Sequence, residues 1–458
     1  MLQYLKYKNI SSFCFSTLKS QKEKVVILGA GWGGFNVARS IDRKQYDVTL
    51  ISPRNHFLFT PLLPSTSVGT LEFRCIQEPI RTIKNMHYIQ AKANNIDFQQ
   101  QIICCQDAFK KEVFDVKYDK LVIAVGSKTN TFGTPGVDKY LGESVFFLKQ
   151  LYHARMIRNR IIECFERAAM PHIPLNEKKR LLSFVVVGGG PTSCEFTSEL
   201  HDFLYYDMPR LYPDLQEYVQ VHLIEAGPDL LGSFDQSLKN YVQKLFKKRY
   251  INVKTGVSVK GLSEEQIPGH HSKDTFAELS NGTKIQFGML VWSAGLQSIK
   301  LVKALDGIKK GKTGRIEVNE QLKVQLIGES GHLENVFALG DCAANSQQPL
   351  PQIAQAAQQQ GKFVANYINK NLKSDEVKFE LFNLGSMASI GQLKGVYDGT
   401  HVGNPYGKEY KIPKISGFLA FLVWRTGYWG KQVSLSNKIL IPMHWFKSYI
   451  FGRDISRF

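Results

Sequence analysis

The sequence predicts an α/β chain of two parallel-sheet domains followed by a smaller module of different character. Three observations carry this. A β-branched run leads into closely spaced glycines twice, at Val25-Val26-Ile27-Leu28-Gly29-Ala30-Gly31-Trp32-Gly33-Gly34 and at Phe184-Val185-Val186-Val187-Gly188-Gly189-Gly190-Pro191-Thr192-Ser193. The 458 residues exceed what one hydrophobic core usually supports. From residue 381 onward the composition becomes aromatic, glycine-rich and basic.

In chain order, residues 1–22 hold Lys6, Lys8, Lys19 and Lys22, several serines and no acid before Glu23. That is the composition of a mitochondrial presequence or of a frayed basic tail. Residues 23–150 form the first part of a nucleotide-binding domain. Its opening strand is followed by a helix at residues 35–41 and a second strand at 46–52, which ends about 20 residues beyond Gly31 as a dinucleotide βαβ unit requires. A strand at 120–126 precedes a turn-rich exit at 130–136. Helical periodicity from 149 to 169 leads into the second domain, 151–296, whose closing strand at 219–225 comes late because residues 205–217 are inserted. Residues 289–295 read as its last strand and glycine turn, ending on Gly295. At 335–341 a strand again ends on an acid, Asp341, so residues 297–380 return to the first domain. Residues 381–458 are the separate C-terminal module.

The two glycine runs specify two Rossmann-like dinucleotide-binding sites. In the first, Gly29 and Gly31 admit a pyrophosphate at a helix N-terminus and Gly34 allows close helix-to-strand packing. The second strand ends in Ser52-Pro53-Arg54 in place of an acid; a serine hydroxyl can bond a ribose and an arginine can stack on adenine or reach a phosphate. In the second site Gly188 and Gly190 take the same roles, with Ser193 at the third glycine position. Glu225 offers a carboxylate to the ribose hydroxyls of NADH and repels the 2'-phosphate of NADPH. A hydride donor and a flavin acceptor are the natural occupants of such a pair.

Other classes are excluded or left open by composition. The formal charge of +18 is spread out and accompanied by no nucleic-acid motif, so an anionic membrane surface is the expected basic-face partner. The cysteines, Cys14, Cys75, Cys104, Cys105, Cys164, Cys194 and Cys342, show no CxxC and no metal-ligand spacing, so neither a thiol redox pair nor a metal site is expected. Gln355 and Gln359 lie four residues apart on one helix face, where their amides can bond a quinone carbonyl or simply face solvent. Residues 415–425 and 438–451 mix apolar residues with Trp, Tyr, Lys and Arg, which suits a lipid interface or a buried packing surface. The apolar run at 415–424 is about half the roughly 20 residues that span a bilayer.

Several stretches together resemble the type II, non-proton-pumping NADH:quinone dehydrogenases of mitochondria: residues 28–34, Ile51 to Arg54 with Phe57-Leu58-Phe59-Thr60-Pro61-Leu62-Leu63-Pro64, residues 130–137, 187–195, 337–343, and Phe451-Gly452-Arg453-Asp454-Ile455. The resemblance implies a two-dinucleotide-binding-domain flavoprotein with non-covalent FAD on the first domain. Ser52, Pro53 and Arg54 then lie at the adenosine end, Thr60, Pro61 and Leu62 near the flavin, and Asp341 on the ribityl chain. It implies NADH on Gly188, Gly190, Glu225 and Gly295, with Glu195 close to the nicotinamide. Gln355 and Gln359 match an AQxxxQ element beside a quinone tunnel. It further implies a peripheral protein of the inner membrane, a lipid-facing C-terminal module and a homodimer. Ser193, Cys194 and Gln360 depart from the family pattern. Two alternatives are carried: a sulfide:quinone oxidoreductase, which needs a cysteine pair, and a non-catalytic subunit, to which Ser193 and Gln360 point.

Overall fold

The computed structural model describes residues 22–267, 274–328, 331–372 and 377–457. The presequence expectation falls almost wholly outside them.

Two parallel sheets organise the chain. The first runs in the order Lys323–Gln325, His332–Ala338, Lys120–Ile123, Lys24–Leu28, Asp47–Ile51, His87–Ile89, all parallel except the antiparallel Lys323–Gln325 edge. Its central strands are rich in Val, Ile and Leu, and those apolar residues are buried, as a sheet covered on both faces demands. The strand order reverses at Lys24–Leu28, so the crevice at the carboxyl ends opens over the first glycine run. The second sheet is wholly parallel, in the order Val145–Phe147, Met289–Trp292, Ser183–Val187, Gln220–Ile224, Asn252–Lys254, and reverses at Ser183–Val187 above the second glycine run. The short antiparallel pair Ser127–Thr129 with Leu296–Ser298 joins the chain's two crossings between the sheets.

Each sheet also carries a three-stranded antiparallel meander that the sequence reading missed: Ala91–Asp97, Ile102–Asp107, Val113–Lys117 in one, and Val259–Glu265, Asp274–Leu279, Lys284–Gln286 in the other. Polar residues interrupt every one of these strands, Asp274–Leu279 included although it is mostly buried, so no long apolar run announces them. Two further differences concern boundaries. Strand Val145–Phe147 already belongs to the second sheet, so the crossing comes before residue 150; at three residues it carries too little pattern to be seen. The expected insertion at 205–217 is largely helical. The helix Pro191–Asp202 runs on through a π-helical turn, Phe203–Asp207, into 3₁₀ turns.

The C-terminal module is a three-stranded antiparallel sheet, Ser386–Ser389, Gly395–Asp398 and Ile415–Gly417, followed by helices Phe418–Gly430 and Leu435–Phe451. It is bound to the second domain by buried polar contacts. Arg453 donates to Asp207 Oδ2 at 2.6 Å, to Glu199 Oε2 at 3.1 Å and to Thr70 Oγ1 at 2.8 Å. Arg249 donates to the carbonyls of Ile390 and Gly391. The π-helical turn shifts the phase of the helix, and Asp207 as well as Glu199 meets the one guanidinium. Replacing Arg453 by Met leaves Glu199 without its cation and Asp207 with only the more distant Arg210 at 3.4 Å, so Arg453→Met is expected to cost about 3 kcal/mol of stability. Chemical denaturation checks this; an unchanged midpoint would show that the clamp carries no stability.

Candidate functional site

The first crevice is shaped by glycines at the positions the sequence indicated. Gly29 has φ +104°, and a Cβ there would lie 2.3 Å from the Ala124 carbonyl oxygen. A Cβ on Gly34 would lie 2.0 Å from the Gly29 carbonyl oxygen, so its absence lets the helix Trp32–Ser40 sit on the strand. Gly31, at the helix N-cap, has nothing within 4 Å of that position; the space is open. No side chain caps this helix and no acid occupies its first turn, which leaves its N–H groups for an anion. The residues present therefore fit a dinucleotide phosphate. Gly33, missed from sequence, packs against Leu339, and the missing Cβ of Gly361 lets the helix Ala354–Asn369 approach the Gly33 carbonyl.

Around this loop, Asp341 Oδ2 accepts from Ser127 Oγ at 2.8 Å. Arg54 turns to Gln150, donating to Oε1 at 2.8 Å, while Ser52 is buried and its Oγ accepts from Arg54 N–H at 3.2 Å. Pro53 is exposed at the rim. Thr60 accepts the Trp32 indole N–H at 3.0 Å and Pro61 is half-buried beside it. Leu62 is wholly buried in the core, so its side chain supports the neighbouring turn.

The second crevice repeats the design. Gly188 has φ +118°, and Gly190, at the N-cap of Pro191–Asp202, faces open space. Glu225 ends strand Gln220–Ile224 and lines an open cleft of about 360 Å³ with Gly189, Gly190, Asp229 and Lys239. Its Oε1 accepts the Gly227 N–H. Ser193 fits the third glycine position: it is buried, and its hydroxyl is 2.7 Å from that of Ser293. The extra hydroxymethyl is thus held by a partner that a glycine would not need. Gly295, with φ +72°, lies against the Phe132 ring at the hinge.

Glu195 lies buried in the helix Pro191–Asp202 that follows the second glycine run. Its Oε1 accepts the Ser389 N–H at 3.1 Å and the Trp424 indole N–H at 2.7 Å, both from the C-terminal module. Burial pushes its carboxyl up to about 8, against the pull of these two donors, and Glu199 adds to the rise. The Trp424 ring meets Tyr428 at 5.2 Å and Tyr428 meets Phe59 at 5.9 Å, so a continuous aromatic wall runs from Glu195 to the Thr60 turn. Neither Trp424 nor Tyr428 had a signal in the sequence beyond its aromatic composition.

The glutamine helix is used on two sides. Gln355 and Gln359 do project together, but onto backbone: Gln355 bonds Leu384 N–H and the Gly385 carbonyl, and Gln359 bonds both backbone groups of Phe382. On the other side Gln360 Oε1 accepts Gly340 N–H at 2.8 Å and Gln352 donates to the Asp341 carbonyl at 2.9 Å. Those two glutamines support the Asp341 turn and escaped the sequence reading. Among the described residues the six cysteines are all free.

Residues 23–361 match the family model described as pyridine nucleotide-disulphide oxidoreductase, and residues 383–454 match that of the NDH2 C-terminal domain. A probable NADH dehydrogenase of Dictyostelium discoideum is 41% identical over 96% of this chain and 92% of its own length. The mitochondrial external NADH-ubiquinone oxidoreductase 2 of Saccharomyces cerevisiae is 34% identical over 95% of this chain and 82% of its own. The structure of Plasmodium falciparum NDH2 in complex with NADH superposes with a TM-score of 0.83 at 28% identity, covering 95% of this chain and all of that one. Fold and crevices define a two-nucleotide flavoenzyme of the pyridine nucleotide-disulphide oxidoreductase class. Within it, the chain belongs to the type II NADH dehydrogenases.

The raised Glu195 value has a consequence for stability. From the ordinary carboxyl value of 4.5 up to about 8, the folded protein keeps a proton that the unfolded chain has released. Stability is therefore lost as pH rises through this window. Melting temperatures of wild type and Glu195→Gln should diverge from pH 5 to pH 8, with the wild type falling relative to the variant. Parallel curves would contradict the assigned burial.

Proposed function

We propose that this chain oxidises NADH on a bound FAD and passes the electron pair to a membrane quinone. The observation that carries the reading is the convergence of two anion-ready glycine loops on one hinge, with Glu195 and the Trp424–Tyr428–Phe59 wall between them. FAD supplies the hydride acceptor and the two-electron donor when bound. Gly29, Gly31 and Gly34 shape the pyrophosphate loop of FAD, with Asp341 toward the ribityl chain and Thr60 and Pro61 toward the flavin. Ser52, Pro53 and Arg54 border the adenosine end. Gly188, Gly190 and Glu225 hold NADH, with Gly295 at the hinge, and Glu195 orients the nicotinamide side.

Quinone approaches from the C-terminal side, where Ile353, Phe382 and Leu384 are exposed beside the braced Gln355 and Gln359. Among the described residues no helix is long and apolar enough to cross a membrane. The helices Phe418–Gly430 and Leu435–Phe451 instead expose Phe418, Leu419, Ile439, Met443, Phe446, Tyr449 and Phe451. Such an apolar face, flanked by Lys431, Lys438 and Lys447, suits peripheral attachment to an anionic lipid surface, here the mitochondrial inner membrane.

Anaerobic NADH should bleach the flavin absorption of the purified protein, and a ubiquinone analogue should restore it. Absence of a flavin spectrum, or flavin that NADH cannot bleach, would overturn the reading. Glu225→Gln should reduce the preference for NADH over NADPH by about tenfold, because the carboxylate that repels the 2'-phosphate is gone. Steady-state kcat/KM for both nucleotides checks this. Phe446→Glu with Tyr449→Glu should lower cosedimentation with anionic vesicles roughly tenfold while leaving NADH-driven bleaching intact.

A further inference from the structure

Lys149 and Gln150 precede the helix Leu151–Ala168 on the second domain, yet both side chains reach the first. Lys149 Nζ donates to Ser127 Oγ at 2.8 Å and stands 4.0 Å from Asp341 Oδ2. Gln150 Oε1 accepts from Arg54 Nη1 at 2.8 Å. The strands that deliver these partners are adjacent in the first sheet: His332–Ala338 leads to Asp341, Lys120–Ile123 to Ser127, Lys24–Leu28 to the glycine loop, and Asp47–Ile51 to Arg54. Asp341 and Ser127 thus lie on one side of the Gly29–Gly34 loop and Arg54 on the other. The Lys149-Gln150 pair spans the crevice above it.

The pair is held in place before any ligand arrives. His153 Nδ1 accepts the N–H groups of Lys149 at 3.2 Å and Gln150 at 3.0 Å, and the Gln150 side chain caps the same helix. Burial pushes His153 down to about 4, which keeps its ring neutral and able to accept. The charges do not close on protein alone. An ammonium has three N–H donors, and among the described residues only Ser127 lies within hydrogen-bond distance of Nζ. Lys149 Nζ stands 4.0 Å from the Asp341 carboxylate, and a second cation, Arg54, is near enough to act on Lys149 from the other side of the loop. Burial lowers the Lys149 value, Asp341 opposes this, and the nearby Arg54 lowers it further, so an anion between the cations would relieve both effects.

We propose that Lys149 is a diphosphate-binding residue of the flavin site, reaching from the second domain across the hinge to the FAD phosphates; this rests on the reading of Gly29–Gly34 as the FAD loop. Because the lysine belongs to the NADH-binding side, FAD also becomes a bond between the two domains.

The test is equilibrium FAD binding to the full-length apoprotein, followed by flavin fluorescence. Lys149→Gln should weaken FAD at least tenfold, Lys149→Arg should retain most of the affinity, and inorganic pyrophosphate should compete with FAD for wild type more effectively than for Lys149→Gln. Equal FAD affinity in wild type and Lys149→Gln, or an arginine variant as weak as the glutamine one, would overturn the proposal. Should Lys149→Gln fail to fold, the wild type decides through pyrophosphate: competition supports the phosphate contact and its absence at millimolar concentration overturns it. A wild-type protein that binds no FAD at all would instead refute the underlying flavin reading.

Discussion

Glu195, Glu199 and Asp202 share one face of the helix that begins at the second glycine loop, and every one of them is answered from the C-terminal module. Ser389 N–H and the Trp424 indole bond Glu195, Arg453 pairs with Glu199, and Gln392 N–H bonds Asp202 at 2.7 Å. Three carboxylates on a buried helix face would be costly without partners. The second nucleotide domain and the C-terminal module are therefore conditional on one another. The helix that begins at the second glycine loop is anchored along its length by the C-terminal module.

This joining explains how a chain with no spanning helix among its described residues can bring a soluble donor and a membrane acceptor to one flavin. The glycine loops keep the two helix N-termini open, since Gly29 and Gly188 adopt backbone conformations that side chains rarely take and Gly31 and Gly190 leave open space. The acid face then fixes the module against the hinge. Trp424 and Tyr428 complete the wall beside Thr60, and the glutamine helix braces the Asp341 turn on one side and the Phe382–Gly385 backbone on the other.

Much of this was legible in the sequence for a physical reason: a pyrophosphate loop requires glycines at fixed spacing after a buried strand, and that requirement is local. The position of Asp341 just beyond a strand is equally local. The acid face was harder. Its members are spaced as any helix face, and their partners are backbone N–H groups and an indole far along the chain, which leave no trace in composition. Lys149 was overlooked for the same reason, since its role depends on strand order and not on a motif. Gln355 and Gln359 were read as open amides because the sequence does not reveal that the backbone at 382–385 would occupy them. Ser193 departs from the glycine pattern, and only the distant Ser293 hydroxyl shows how it is accommodated.

Hydrogen exchange at two backbone amides tests the mutual anchoring most directly. If Ser389 N–H is held by Glu195 and Gln392 N–H by Asp202, both should exchange as slowly as the amides of the central strand Ser183–Val187, although both stand at the ends or turns of their elements. Exchange of these two amides at the rate of exposed loops, with the strand still protected, would contradict the claim that the C-terminal module is locked to the NADH-binding helix.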